Sequence, residues 1–177
     1  MSKKDLKNKM RNKIFKLGWI VILLLVFTSC EQTTPFNVGP QYDAEANLAI
    51  DRPKINAYLA KTPMDSLYRI HDPSGVVVIV QREGSGSRPT SGSIVYTNYT
   101  GYLMETGAVF DTNIESVARA NNIFSETAKY VTFSFLIGSG GVIGGWDIGF
   151  RRMRPGTSAK IIIPSAWAYK DATNNAR

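Results

Sequence analysis

The stretch Phe133-Ser134-Phe135-Leu136-Ile137-Gly138-Ser139-Gly140-Gly141-Val142-Ile143-Gly144-Gly145-Trp146 decides how this chain is read. Phe133 and Phe135 alternate, so in a strand they share one face. A glycine-rich turn follows and delivers Val142, Ile143 and then Trp146. Glycine accepts backbone conformations that other residues resist, and it lets chains approach closely. Three large apolar side chains arrive together with little polar chemistry between them. Two readings fit. One is a strand and turn feeding an ordinary core, which is favoured on these residues alone. The other is an apolar pocket that holds a tryptophan; neither reading is a hydrolytic centre.

The flanking residues shift the balance. Upstream stand Asn98-Tyr99-Thr100-Gly101-Tyr102-Leu103 and Gly107-Ala108-Val109-Phe110-Asp111-Thr112. Downstream stand Gly149-Phe150, Met153-Arg154-Pro155-Gly156, Ala159-Lys160-Ile161-Ile162-Ile163-Pro164-Ser165 and Ala168-Tyr169. This order resembles the FKBP-type peptidyl-prolyl cis-trans isomerases over roughly Gly75 to Tyr169. Each piece is weak by itself, and the ordered set is specific.

The resemblance implies roles by matched position. Trp146 would floor the site under a proline ring. Tyr99, Phe110, Phe133, Val142 and Ile143 would wall it. The Ile143 backbone N–H and the Tyr169 hydroxyl would bond substrate carbonyls. Asp111 would orient a wall tyrosine beside the twisting carbonyl. Core packing is the competing reading for every aromatic. It is strongest for Phe135 and Phe150, which are left out of the site. The implied chemistry needs no cofactor or metal. The implied partners are proline-containing unfolded or partly folded polypeptides, with the macrolide inhibitors of the family as small-molecule ligands.

Hydrophobic residues at 44% and charged residues at 20% fit a globular chain. The formal charge of +7 misleads about partners. Seven cations and only Asp5 precede Leu17, so this segment holds a net six of those charges. No nucleic-acid partner is implied by the remainder. Leu17 to Ser29 is uncharged and shorter than the ~20 residues that span a bilayer as a helix. A basic lead, a short apolar core and the small residues Thr28-Ser29 form a signal peptide. Cys30 is the sole cysteine, which excludes an internal disulfide. Its context resembles a bacterial lipobox, although Phe27 replaces the usual leucine. Cys30 is therefore the expected lipid attachment site, and a lone unmodified thiol is the competing reading. The expected location is the cell envelope, facing the periplasm, with the outer membrane favoured over the inner.

The chain divides into a signal peptide (1–29), a lipidated flexible tether (30–42), a helical extension (43–74) and an isomerase domain (75–177). Asp43 to Lys61 reads as helical, with Ile55, Tyr58 and Leu59 at helical spacing. Pro53 interrupts that segment, and Asp51 is expected to cap a second helix with Pro53 in its first turn. His71 is expected in a solvated loop. Val76 to Val80, Ile94 to Tyr102, Thr132 to Ile137 and Ser158 to Ile163 read as strands. A hairpin at Glu105-Thr106-Gly107 leads to Phe110. Only a short helix fits between Gly145 and Phe150. The fold class is α+β, an antiparallel β-sheet wrapped around one short α-helix. Thr112 to Val131 exceeds the matching segment of minimal family members. It reads as an inserted helix and loop, either narrowing the cleft or decorating the surface; decoration is favoured.

After Tyr169 the family's glycine-containing loop and final strand do not follow. Truncation at the C-terminus is expected. The resulting expectation is a lipid-anchored prolyl isomerase that assists the folding of extracytoplasmic proteins. It is similar to isomerase lipoproteins of Gram-negative bacteria, including those linked to gliding motility. The alternative is a catalytically weak module or chaperone that holds proline-containing segments in the same pocket.

Overall fold

The computed structural model describes residues 42–170. The expected signal peptide, Cys30 and the tether up to Gln41 lie outside the described residues, as do Asp171 to Arg177. In chain order the elements are α1 (Ala44–Lys61), β1 (Tyr68–His71), β2 (Val77–Arg82), β3 (Ile94–Thr97), β4 (Thr100–Tyr102) and β5 (Val109–Thr112). There follow α2 (Glu115–Ala120), β6 (Phe133–Leu136), α3 (Gly144–Phe150), β7 (Ser158–Ile162) and a 3-10 turn (Ser165–Trp167).

The β-branched run Val76 to Val80 builds the centre, and each of its residues is at most 3% exposed. A run with no polar alternation is what a strand covered on both faces requires. Val77 and Ile79 pack on Ile55 and Leu59 of α1. Val76, Val78 and Val80 pack on Met153, with Ile148 and Phe150 against them. Each such side chain contributes roughly 1.5–3 kcal/mol by leaving water. β2 pairs antiparallel with β1 on one edge and β7 on the other. β3 pairs with β6, and β4 with β5, again antiparallel. Helices over antiparallel strands make an α+β fold, with the short α3 in the place expected for it.

The helix α3 lies unusually close to the strand β7. A Cβ on Gly145 would stand 2.2 Å from Ile163 Cγ2, and one on Gly149 would stand 2.9 Å from Ile161 Cδ1. These two glycines are four residues apart and so share one helix face. Their missing side chains let the helix backbone settle onto β7.

Three expectations change. First, no second helix begins at Asp51: α1 is continuous, with Pro53 inside it. Asp43 supplies the cap instead, its carboxylate accepting from the Ala46 N–H at 3.0 Å. Proline inside a helix costs about 3 kcal/mol, and packing of Ile55 and Leu59 on the sheet offsets it. Second, the extension is not helical throughout. Tyr68–His71 forms β1, and His71 pairs with Val77 rather than lying in a loop. Its residues are mostly exposed, so no burial alternation marked it as a strand. Third, Ile94 to Tyr102 is two strands in two separate sheets. The break falls at Tyr99, whose N–H donates to Asn113 Oδ1 at 2.8 Å and whose carbonyl accepts from the Thr112 hydroxyl at 2.7 Å. Side chains there replace the ladder bonds.

Candidate functional site

The aromatic residues converge on Trp146, the third residue of α3. Its ring meets Tyr99 at 4.9 Å and Phe133 at 5.6 Å between centroids, both edge-on. Tyr99 and Phe133 also meet each other, at 5.8 Å. Beneath them, Phe135 and Phe150 contact Trp146 at 5.3 and 5.4 Å. Phe135 is 8% exposed, in keeping with its reading as core. Edge-to-face pairs of this kind add about 0.5–1.5 kcal/mol each beyond burial. The cluster holds the Trp146 ring in one orientation.

Polar groups stand at one side of this cluster. The Tyr99 hydroxyl donates to Asp111 Oδ2 at 2.8 Å. Burial, then that bond and the carboxylate's charge, push the Tyr99 phenol well above the ordinary tyrosine range. Burial first, and the Asp111 charge second, also raise the Tyr169 phenol. Both hydroxyls therefore stay protonated donors at neutral pH. Tyr169 remains 41% exposed, and its ring stands edge-on to Phe110 at 5.9 Å. Phe110 in turn fills the space over Gly101, where a Cβ would lie 2.8 Å from the ring.

Val142 and Ile143 are half-buried at the start of α3. The preceding loop is fixed by Asp147, whose carboxylate accepts from the Gly138 N–H at 2.8 Å. Gly138 and Gly140 have φ of +80° and +74°, a region that favours glycine. The Ile143 carbonyl accepts from the Trp146 N–H at 2.9 Å. Its own N–H meets no backbone acceptor among the described residues.

Six of the eight residues singled out in the sequence thus fall into two sets, each joined by its own contacts. Tyr99, Asp111, Phe133 and Trp146 form one set, Phe110 and Tyr169 the other, and Ile143 precedes the helix that carries Trp146. Val142 lies next to Ile143 with no contact that fixes its role. A cleft of about 470 Å³ opens beside Tyr99, Asp111 and Phe133, and both ends of the inserted segment line it, Thr112 and Asn113 at one and Ala128 to Val131 at the other. The insertion therefore lies at the site's edge, with α2 at its start.

Two residues at this edge escaped the sequence reading. Asn113 donates through Nδ2 to the carbonyls of Thr97 and Val131 at 3.1 and 2.9 Å while holding the Tyr99 N–H. Tyr130 lines the cleft, stacks on Phe124 at 5.4 Å and accepts the Ser125 N–H. An aromatic at 130 was visible in the sequence, but nothing local marked Asn113 as a junction between three segments.

A family model described as FKBP-type peptidyl-prolyl cis-trans isomerase matches residues 86–177. FK506-binding protein 4 of Emericella nidulans is 36% identical over 100 residues, covering 56% of this chain. Peptidyl-prolyl cis-trans isomerase FKBP4 of Homo sapiens is 32% identical over 99 residues, or 55% of this chain. The matched part spans 18% of the length of each of these relatives. The crystal structure of FkpA from Escherichia coli aligns with a TM-score of 0.52 at 20% identity, covering 100% of this chain and 66% of that one.

Proposed function

Because the chain belongs to the FKBP-type peptidyl-prolyl cis-trans isomerase family, we propose that it catalyses rotation about X-Pro bonds at the Trp146 site. The uncatalysed barrier is ~18–20 kcal/mol and comes from amide resonance. The planar amide carries partial charges on oxygen and nitrogen; the twisted amide carries less. Surroundings of low polarity therefore disfavour the planar state relative to the twisted one. The observation that carries the reading is the Tyr99–Phe133–Trp146 cluster with Asp111 bonded at its side. A proline ring over Trp146 would bring the twisting carbonyl toward Asp111 and Tyr99. The Ile143 N–H and Tyr169 hydroxyl would hold the flanking carbonyls. No bond to the enzyme forms or breaks.

The test is a protease-coupled isomerisation assay with X-Pro peptides on the full chain. Acceleration is expected. Binding of the peptides without acceleration would instead support a holding module. Tyr169→Phe keeps the ring on Phe110 and removes one donor. A loss of roughly two- to tenfold in kcat/KM is expected from one hydrogen bond. An unchanged rate across several peptides would remove Tyr169 from the site.

The proposed setting is the cell envelope, with the domain held at a membrane by lipid on Cys30. The support is the basic lead, the short apolar run and the small residues before the single cysteine. A multiply acylated N-terminus anchors stably. Cys30→Ala should abolish lipid attachment and leave an uncleaved precursor that still carries its apolar leader. Mass spectrometry of the mature N-terminus decides the matter: an unmodified Cys30, or cleavage elsewhere, would sink the anchor.

A further inference from the structure

Asp51, which does not cap a helix, has another task. It lies in α1, outside the stretch matched by the family, and its Oδ2 accepts two hydrogen bonds from Ser165. The Ser165 N–H donates at 2.8 Å and the Ser165 hydroxyl at 2.6 Å. A hydroxyl carries one proton. The bond between Tyr42 and Ser165 Oγ, at 2.8 Å, therefore has the Tyr42 hydroxyl as donor. Three bonds thus fix Ser165 from the N-terminal side of the described chain.

Ser165 opens the turn that ends at Tyr169. Its carbonyl accepts from the N–H of Ala168 at 3.1 Å and of Lys170 at 3.0 Å. Tyr169 stands between those two amides, so its backbone is set by Ser165. The residue before Ser165, Pro164, is fully buried. Trp167 ties the same turn down twice more. Its Nε1 donates to the Ser74 carbonyl at 3.1 Å, and its ring closes over Gly144, where a Cβ would lie 3.1 Å away. Lys170 has φ of +55°, a strained value for a side-chain-bearing residue that such bonds must hold in place.

We propose that Asp51 of α1 is a positioning residue for Tyr169, acting through Ser165, so that the helix preceding the family's matched region is a working part of the isomerase site. The inference rests on the isomerase reading for its kinetic arm alone.

The experiment uses the full chain with Asp51→Ala, Asp51→Asn and Ser165→Ala. Asp51→Ala should speed hydrogen exchange of the Ala168 and Lys170 amides by about tenfold or more, because their acceptor loses its anchor. It should lower kcat/KM by no more than Tyr169→Phe does, up to roughly tenfold, chiefly through kcat, as a displaced donor does. Asp51→Asn keeps an oxygen that can accept both bonds and should stay near the parent. In a Tyr169→Phe background, Asp51→Ala should cost little more, since the hydroxyl it positions is gone. If Asp51→Ala does not fold, Ser165→Ala removes only the hydroxyl and should quicken the same amides. Unchanged exchange in the variant that folds overturns the proposal, as does an equal kinetic penalty with and without the Tyr169 hydroxyl. Accelerated exchange in a chain whose parent shows no isomerisation would instead refute the activity and leave the positioning intact.

Discussion

Trp146→Ala is expected to bring isomerisation of X-Pro peptides close to the uncatalysed rate while leaving a folded protein of lowered stability. Trp146 touches four other aromatic rings within 5.6 Å of its centroid, namely Tyr99, Phe133, Phe135 and Phe150. Truncating a tryptophan so packed costs about 3–5 kcal/mol. A domain's whole margin is about 5–15 kcal/mol. The fold should therefore survive with little to spare, and a thermal melt must accompany every rate. The functional loss has a separate origin. Without the indole, the Tyr99 and Phe133 edges lose their common partner, and water can enter beneath the proline ring. A wetter floor solvates the planar amide and removes the preference for the twisted one. Trp146→Phe is the control, because it keeps an apolar floor with a smaller ring, and partial activity is expected from it. A folded Trp146→Ala chain that isomerises as fast as its parent would mean that the proline ring does not sit here.

The aromatic cluster around Trp146 was more legible than the scaffold, for a physical reason. Trp146, Phe133 and Tyr99 sit in short local patterns, where glycines and alternation dictate geometry over a few residues. The close seat of α3 on the chain from Ile161 to Ile163 depends on Gly145 and Gly149, whose partners lie more than ten residues downstream. What stayed hidden depends on partners distant in sequence. Asp51 has a capping residue's chemistry followed closely by a proline, and local rules assign it to a helix start. Its bonds instead reach 114 residues along the chain to Ser165. Asn113 likewise splits one apparent strand in two by taking the Tyr99 N–H from 14 residues away. β1 pairs along its length with β2 while leaving most of its side chains in solvent, so its ladder bonds have no signature in hydropathy. Buried alternation is written in sequence; side-chain substitution for backbone bonds is not.

Gly145→Ala should destabilise the protein and weaken the site together, against the usual direction of this substitution in a helix. Alanine ordinarily stabilises a helix interior over glycine by about 1 kcal/mol. Here no positive φ requires glycine, so only space opposes the change. The added Cβ would stand 2.2 Å from Ile163 Cγ2 and 2.9 Å from its Cγ1 and Cδ1. Carbon atoms attract optimally near ~3.5–4 Å, so either Ile163 or the helix must move by more than an ångström. Ile163 is β-branched with few χ1 states, and it adjoins the buried Pro164. The helix is the easier element to displace, and Trp146 is its next residue. Overpacking costs typically 1–3 kcal/mol and should outweigh the helix gain. A net loss of up to about 2 kcal/mol corresponds to a fall in Tm of up to roughly 8 °C, with isomerisation reduced at temperatures where the chain remains folded. Ile163→Ala, added to Gly145→Ala, frees the colliding methyl groups and should return tryptophan fluorescence, measured in a Trp167→Phe background, toward that of the Ile163→Ala variant in the same background. A Gly145→Ala chain that melts higher than its parent would show that α3 has room above β7, and the close seat inferred for the helix that carries Trp146 would be wrong.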